Sequence, residues 1–341
     1  MANGTTIFSK IVVQTEPTYG TGNDANVALY GRRLMVSPTG VINLGQTWDI
    51  GEDRTIGVRT PIVTGRSTLT ETSPEVSLDA PAVPTDELPI YLSAIQEITP
   101  VDNEDGSWTW YWQPGMDSTA TAPVSLHAIV TDGNQGYHVK GILPTTLTLS
   151  AESGGLTSLG FSGFAKSVEK TAQVPTVGLP ATTPRSIAGR TWTGATSSTS
   201  ISAGFTNFDY LYDWSLEIMA GQGPIFSQVG STVNAGYNQF AGAFGGTLSL
   251  TVGSNPAAVS EFYDKLGQTV YFVLNFADAG SPAHRVTIGV AGIVKNVEPI
   301  TGDVDGLTTY AIEVALAYSP ADEACVYIEI VNELSSLPIP D

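Results

Sequence analysis

Two segments with the same helical spacing of apolar residues lie 171 positions apart in this sequence. In "TDELPIYLSAIQEI" and "NPAAVSEFYDKLGQ", apolar residues recur at i, i+3, i+4 and i+7, which is the pattern of one buried helix face. We therefore predict two short helices, the first capped by Thr85 and the second by Asn255 with Pro256 at its first position. The expected core residues are Leu88, Tyr91, Leu92 and Ile95 in the first helix and Val259, Phe262, Tyr263 and Leu266 in the second.

The constant separation of the helices indicates an internal repeat. Four further pairs of segments match: 29–36 with 211–218, Val76 and Leu78 with Leu248 and Leu250, 126–139 with 273–286, and 155–157 with 306–308. The order strand, long loop, strand, helix, hairpin, strand thus occurs twice. The alternative is a chance alignment, because the two halves share few identical residues.

Most of the remaining chain is typical of β-strands. Segments such as "GTLSLTV" (246–252) and "CVYIEIV" (325–331) alternate apolar and polar residues or are rich in β-branched and aromatic ones. We predict an all-β fold of two tandem β-sandwich or barrel-like tube domains with one short helix each. The first domain covers 1–170, a Pro-rich linker covers 171–190, and the second domain covers 191–341.

The charge balance limits the class of partner. The chain has 14 basic and 33 acidic residues, a net charge of −19, shared almost evenly by the two halves. Such a surface is unsuited to gripping nucleic acid or an anionic membrane. The sequence has no stretch near 18 apolar residues, and its first ten residues lack the apolar run of a secretory signal. We therefore expect a soluble protein, made in a cytoplasm, without a membrane partner.

Residues suited to catalysis or metal binding are few. His127, His138 and His284 lie in strand or turn patterns without a nearby nucleophile and carboxylate pattern. The acidic turns at 102–106 and 302–306 begin like calcium loops, but both are more simply read as solvated turns. We expect no enzymatic activity, no catalytic residues, no metal site and no cofactor. The single Cys325 has no disulfide partner and most simply packs in a strand.

The run Trp108-Thr109-Trp110-Tyr111-Trp112 places three indoles on one face of a strand. Three indoles in a row suit a sugar-stacking platform, and they suit a core or a subunit interface equally well. Packing or an interface is the favoured interpretation. A carbohydrate-binding or adhesin module of a phage tail or cell surface is the alternative function. A secreted β-sandwich hydrolase is a further alternative, which the missing signal and catalytic set disfavour.

Several loose motifs, in order, resemble tail tube proteins of long, non-contractile-tailed bacteriophages. They are the opening "EPTYGT" (16–21), the aromatic strand ending "WQP" (112–114), and the segments "VSLHAIVTDGNQGYHVKG", "LTSLGFSGFAK", "FTNFDYLYDWSLEI" and "VYFVLNFADAG". The resemblance covers nearly the whole chain. It implies a structural virion protein whose sheets join between subunits into a β-barrel around a channel. For a chain with two copies of the domain it implies trimeric, pseudo-hexameric rings.

The resemblance also implies partners and a location. The partners are further copies of the chain, a tail tip, a tape-measure protein and a terminator protein, and DNA passes through the tube without specific binding. The location is the virion tail, assembled in the host cytoplasm. Strand residues predicted to face the channel or a neighbouring subunit are Arg32, Arg33, Trp214, Glu217, Glu313 and Glu329.

Overall fold

The protein is all-β in its computed structural model. The structure describes residues 10–22, 27, 31–37, 41–50, 67–115, 121–131, 135–172, 175–176, 187–188, 192–197, 199–201, 206–208, 210–226, 234–254, 262–278, 284–304 and 306–338.

The elements with described bounds are a short α-helix and 22 strands. The helix is α1 (Leu88–Ser93). The strands are β1 (Lys10–Thr15), β2 (Arg32–Arg33), β3 (Ile42–Asn43), β4 (Gln46–Ile50), β5 (Ser67–Thr72), β6 (Glu75–Ala80), β7 (Pro100–Asp102), β8 (Trp108–Trp112), β9 (Leu126–Thr131), β10 (Gly136–Ala151), β11 (Ser158–Phe164), β12 (Ser167–Thr171), β13 (Thr193–Ser197), β14 (Thr206–Phe208), β15 (Leu211–Met219), β16 (Gly223–Phe226), β17 (Asn234–Asn238), β18 (Gly245–Gly253), β19 (Thr269–Ala277), β20 (Arg285–Val304), β21 (Leu307–Leu316) and β22 (Val326–Asn332).

Strand pairing is antiparallel and follows the same plan in both halves. In the first half, the start of β10 lies in the order β2-β1-β9-β10-β12, and its end lies in the order β3-β6-β11-β10. In the second half the corresponding orders are β14-β13-β19-β20-β22 and β15-β18-β21-β20. The hairpins β4-β5 and β16-β17 occupy the same place in the two halves. This repeated pairing supports duplication over a chance alignment.

The residue register repeats as well. Phe161 pairs with Leu78 in the first half, and Ile312 pairs with Leu250 in the second, as the sequence matches at 76–78 and 155–157 require. Both long strands carry an irregularity at the same point, between Pro144 and Thr146 in β10 and between Val294 and Asn296 in β20. The shared position of this bulge shows which residue of β10 corresponds to which residue of β20.

One predicted match between the halves is wrong. In the described part of 29–36, only Arg32–Arg33 forms a strand, and it pairs with β1. Segment 211–218 lies in β15, which pairs with β18. The counterpart of β15 is β3, since Ile42 pairs with Val76 as Leu216 pairs with Leu248. The two segments share a short sequence similarity but occupy different positions in the sheet, because long-range pairing decides where a strand lies.

The two halves share one sheet and one main hydrophobic core. The end of β10 pairs with β15, and β8, which lies in the first half, pairs with β22. The main cluster of buried apolar side chains contains residues from both halves. Followed strand by strand, the pairings in the described part of the chain do not return to their start, so the network has open edges.

The two helical stripes differ in the structure. Leu88, Tyr91, Leu92 and Ile95 are all buried, although the N-cap of α1 is Glu87 and not Thr85. In the second stripe, Val259 lies outside the described residues and Phe262 is buried against Phe272.

Tyr263 and Leu266 are more than half exposed, so their predicted burial is wrong. After residue 263 the chain continues as turns, so the helical period that would bury these side chains is lost. Among the described residues, no helix is long and apolar enough to cross a membrane.

Candidate functional site

Eight strands form a continuous sheet, in the order β3-β6-β11-β10-β15-β18-β21-β20, with two different faces. One face is buried in the core, because every second residue of each strand is apolar. In β18, for example, Leu248, Leu250 and Val252 are buried. The other face is lined mostly by polar and acidic side chains, with Met219 and Ile293 also exposed on it.

We call this second surface the polar face. One row across five strands pairs Ser150 with Ser215, Ser215 with Ser249, Ser249 with Glu313, and Glu313 with Asn296. The same residues line a groove along these strands. The polar face consists of Ser77, Asp79, Thr146, Thr148, Ser150, Ser158, Ser162, Asp213, Ser215, Glu217, Thr247, Ser249, Thr251, Asn296, Glu298 and Glu313, none of which is buried.

The polar face is acidic. Asp79, Asp213, Glu217, Glu298 and Glu313 lie on it, spread over strands of both halves. Lys295 lies at its edge, with its Nζ 2.6 Å from Oε1 of Glu313. Among the described residues, Asp79, Asp213, Glu217 and Glu298 on this face form no ion pair, so the face has a negative potential that repels phosphate groups. The structure thus brings Glu217 and Glu313, two of the six strand candidates, to one surface.

Trp214 does not lie on this surface, so its predicted exposure is wrong. Its side chain is buried and packs edge-on against Trp192, with ring centroids 4.8 Å apart. Trp214 and Glu217 are an odd number of residues apart on one strand, so strand alternation places them on opposite faces. The alternation was readable from the sequence, and it excluded placing both residues in the channel.

Glu329 belongs to a different part of the sheet. It pairs with Thr287 of β20 and Tyr111 of β8. Its carboxylate contacts the Arg285 guanidinium and accepts a hydrogen bond of 2.6 Å from the Tyr327 hydroxyl. Glu329 is therefore engaged within its own chain, and it is not part of the polar face.

Arg32 is also engaged within the chain. Its guanidinium lies 3.3 Å from Oδ2 of Asp86, and both side chains are largely buried. The adjacent Glu87 is fully buried, and its Oε1 accepts a hydrogen bond from the Met35 N–H. Burial raises the pKa of Glu87 to about 7, although that hydrogen bond and the Arg32 charge oppose the rise. The two arginines lie in β2, which pairs with β1 and not with the strands of the polar face. Arg32 is thus paired within its own chain, and Arg33 is half-buried.

The opening motif "EPTYGT" is a turn folded around its own acidic residue. The Glu16 carboxylate accepts hydrogen bonds from the backbone N–H groups of Gly20, Gly22 and Gly141 and from the Ser125 hydroxyl at 2.6 Å. Burial raises the pKa of Glu16, and these hydrogen bonds oppose the rise. Sequence reasoning did not find this role, because three of the donors lie beyond the motif or come from other strands.

The aromatic strand β8 is not an exposed platform. Trp110 and Trp112 are fully buried, and Nε1 of Trp110 donates to Oδ1 of Asn332 at 3.1 Å. Tyr111 faces outward and stacks with Tyr327. Two of the three indoles on which a sugar-binding function depended are therefore unable to contact a sugar.

The histidines and acidic turns have structural partners. His127 and His138 are buried together with ring nitrogens 3.3 Å apart, and His284 lies 2.7 Å from the Thr85 hydroxyl. Asp102 accepts a hydrogen bond from the Glu104 N–H within its turn. Within the described ranges, no group of three or more His, Cys, Asp or Glu side chains is arranged to hold a metal ion. Burial raises the pKa of the Cys325 thiol to about 11.

Comparison with known proteins gives no family. No protein-family model matches the chain, and no curated protein matches it significantly.

Proposed function

We propose that this chain is a structural virion protein, the subunit of a hollow tail tube in a long, non-contractile-tailed bacteriophage. The observation that carries the proposal is the continuous eight-stranded sheet built from two equivalent halves. One face of that sheet is core, and the other is mostly polar and acidic. A sheet of this kind suits the wall of a channel, with the polar face toward the lumen.

Three chains in a ring would place six equivalent half-chains around one axis. A closed sheet of about 24 strands, about 4.8 Å apart and tilted by about 40°, has a diameter of about 48 Å. The acidic side chains would then line the bore. Because like charges repel, DNA would pass without binding, and a screening length of about 8 Å limits the effect to DNA near the wall.

Stacking of rings would use the hairpins between neighbouring sheet strands. In the second half, Ile225 and Phe226 of β16 are exposed, as is Phe240 just after β17. The base of this segment is held by its own chain, since Gln222 Nε2 donates to the Ile95 carbonyl at 2.9 Å. The base of the hairpin is therefore anchored within the chain. Tail tip, tape-measure and terminator proteins are the further partners of the proposed tube.

The test is electron microscopy of the purified chain in negative stain over a range of concentrations. We expect stacked rings whose end-on averages have three-fold symmetry with a near six-fold outline. A chain that stays monomeric at every concentration, and with any added tail tip, contradicts the proposal. Six full chains in a ring contradict the trimeric arrangement.

A further inference from the structure

The two halves of the chain are joined by the pairing of β10 with β15. Leu147 pairs with Ile218 and Thr148 with Glu217, and the Ala220 N–H donates to the Thr145 carbonyl at 2.9 Å. Leu147 and Ile218 are both fully buried at this joint. Thr148 and Glu217 lie on the polar face. We call this pairing of β10 with β15 the internal joint.

Each partner in the internal joint has a counterpart in the other half of the chain. Leu147 pairs with Phe161 as Val297 pairs with Ile312, with a bulge at the same place in both strands. Residues 145–148 therefore correspond to 295–298. Since β3 pairs with β6 as β15 pairs with β18, residues 217–220 correspond to 43–46.

These two counterparts lie at open edges. Among the described residues, β20 after Val294 pairs with β21 alone, and β3 pairs with β6 alone. Their apolar side chains are also less covered than those of the internal joint. Leu44, the counterpart of Ile218, is 46% exposed, and Val297, the counterpart of Leu147, is partly exposed. Unpaired strand edges with uncovered apolar residues are typical sites of strand addition.

We propose that a second copy of this chain covers these edges, with residues 295–298 of one copy paired antiparallel to residues 43–46 of the next in the register of the internal joint. The proposal rests on the ring proposed above and adds its residue-level contact. Val297 then packs on Leu44 toward the core side. Glu298 lies opposite Asn43 on the polar face, where Thr148 lies opposite Glu217.

The joint between chains is shorter than the internal one. Residue 299 is a proline without an N–H, and Ile300 has a positive φ of 61°, so regular pairing ends at Glu298. Counted from the bonded pair Thr145 and Ala220, the internal joint has seven residue pairs, and the proposed joint has the equivalent of the first four. A joint between chains that is shorter than the joint within the chain would leave the single chain as the more stable unit.

Engineered disulfides test the register. Hydrogen-bonded and non-hydrogen-bonded pairs alternate along an antiparallel strand pair. Thr145 and Ala220 form a hydrogen-bonded pair, so Thr148 and Glu217, three positions further, form a non-hydrogen-bonded pair. Residues 298 and 43 are their counterparts, and side chains approach most closely in such a pair. In a Cys325→Ala background, we expect Glu298→Cys with Asn43→Cys to give covalent dimers and trimers on oxidation of assembled rings. Glu298→Cys with Gln46→Cys is the control, because its cysteines would lie about 10 Å apart along the strand, beyond disulfide reach.

A charged substitution provides a second measurement that does not need a disulfide. Leu44→Asp should give a folded chain that needs at least a ten-fold higher protein concentration to assemble into rings, because a charge would enter the apolar side of the joint. Leu156→Asp, at a similarly exposed leucine in the turn between β10 and β11, should assemble like wild type.

These experiments distinguish failure of the proposed joint from failure of the proposed tube function. Rings by electron microscopy with cross-links only in the 298–43 pair, and loss of assembly in Leu44→Asp, support the joint. Normal rings that lack this cross-link, that cross-link equally in the control pair, or that form from Leu44→Asp overturn the joint and leave the tube proposal standing. Absence of rings in the parent chain overturns both.

Discussion

The Thr85 hydroxyl and Nδ1 of His284 lie 2.7 Å apart in a fully buried hydrogen bond between the two halves of the chain. Asn332 adds a second link, because its Nδ2 donates to the Thr85 carbonyl at 2.9 Å. Glu333 lies on the other side of the imidazole, 3.5 Å from Nε2. The halves are therefore held by specific polar contacts as well as by shared strands.

Thr85→Val should destabilise the chain by about 1–3 kcal/mol, because it removes a buried hydrogen-bond partner and leaves the His284 nitrogen unsatisfied. The measurement is urea unfolding followed by circular dichroism. Thr85→Ser keeps the hydroxyl and should cost clearly less. Equal losses in the two variants would show that the methyl group, and not the hydrogen bond, matters.

Leu92→Asp should prevent folding, since Leu92 is fully buried in α1 and an unpaired charge would enter the core. Phe262→Asp should do the same for the second half. Leu266→Asp is the matched control for Leu92, because the side chain is more than half exposed, and it should fold normally. Soluble protein with native circular dichroism from Leu92→Asp would contradict the packing of this helix.

Glu87 should make stability fall as pH rises. Its pKa is about 7 in the folded chain against 4.5 for an ordinary glutamate, so the folded state binds more protons between these values. Its contribution is fully present below pH 4.5 and is lost as pH rises through 7, by up to about 3 kcal/mol. Glu87→Gln keeps an acceptor for the Met35 N–H and removes the titration.

Urea unfolding at pH 5 and pH 8 checks this. The stability of Glu87→Gln relative to wild type should be greater at pH 8 than at pH 5. The difference between the two proteins removes the contribution of other titrating groups, including Glu16. A difference independent of pH would show that the Glu87 carboxyl is not perturbed, or that Arg32 and Asp86 compensate for it.

The acidic polar face should keep DNA from binding. We expect no gel shift of duplex DNA with the wild-type chain, even at low salt. Replacing Ser215, Glu217 and Ser249 with lysine should create DNA binding that falls steeply between 50 and 200 mM salt, on the order of ten-fold or more. Salt-sensitive DNA binding by the wild-type chain would contradict the proposed role of this face.

The exposed apolar side chains of β16 should act between rings and not within them. Ile225→Asp with Phe226→Asp should leave the far-ultraviolet circular dichroism and the ring unchanged but shorten the stacked tubes seen by electron microscopy. Long tubes from this double variant would show that the hairpin does not join rings.

Local patterns in the sequence determined the elements of this protein. Alternation in segments such as 246–252 predicted strands with one buried face, and the i, i+3, i+4, i+7 stripe of Leu88, Tyr91, Leu92 and Ile95 predicted a buried helix. The offsets between matching segments predicted the repeated strand order, because a duplicated chain keeps its spacing wherever the strands pair. These features depend on neighbours a few residues apart, which the sequence displays directly.

Only the tertiary structure decided which strands share a sheet and what each side chain meets. The pairing of β10 with β15, the counterpart of β15 in β3, the burial of Trp214 and the ion pair of Arg32 with Asp86 all depend on residues distant in sequence. Tyr263 and Leu266 fit a helical stripe but are exposed, because the chain after Tyr263 turns instead of continuing a helix. Periodicity shows that a residue can face a core, and long-range packing decides whether a core is there to receive it.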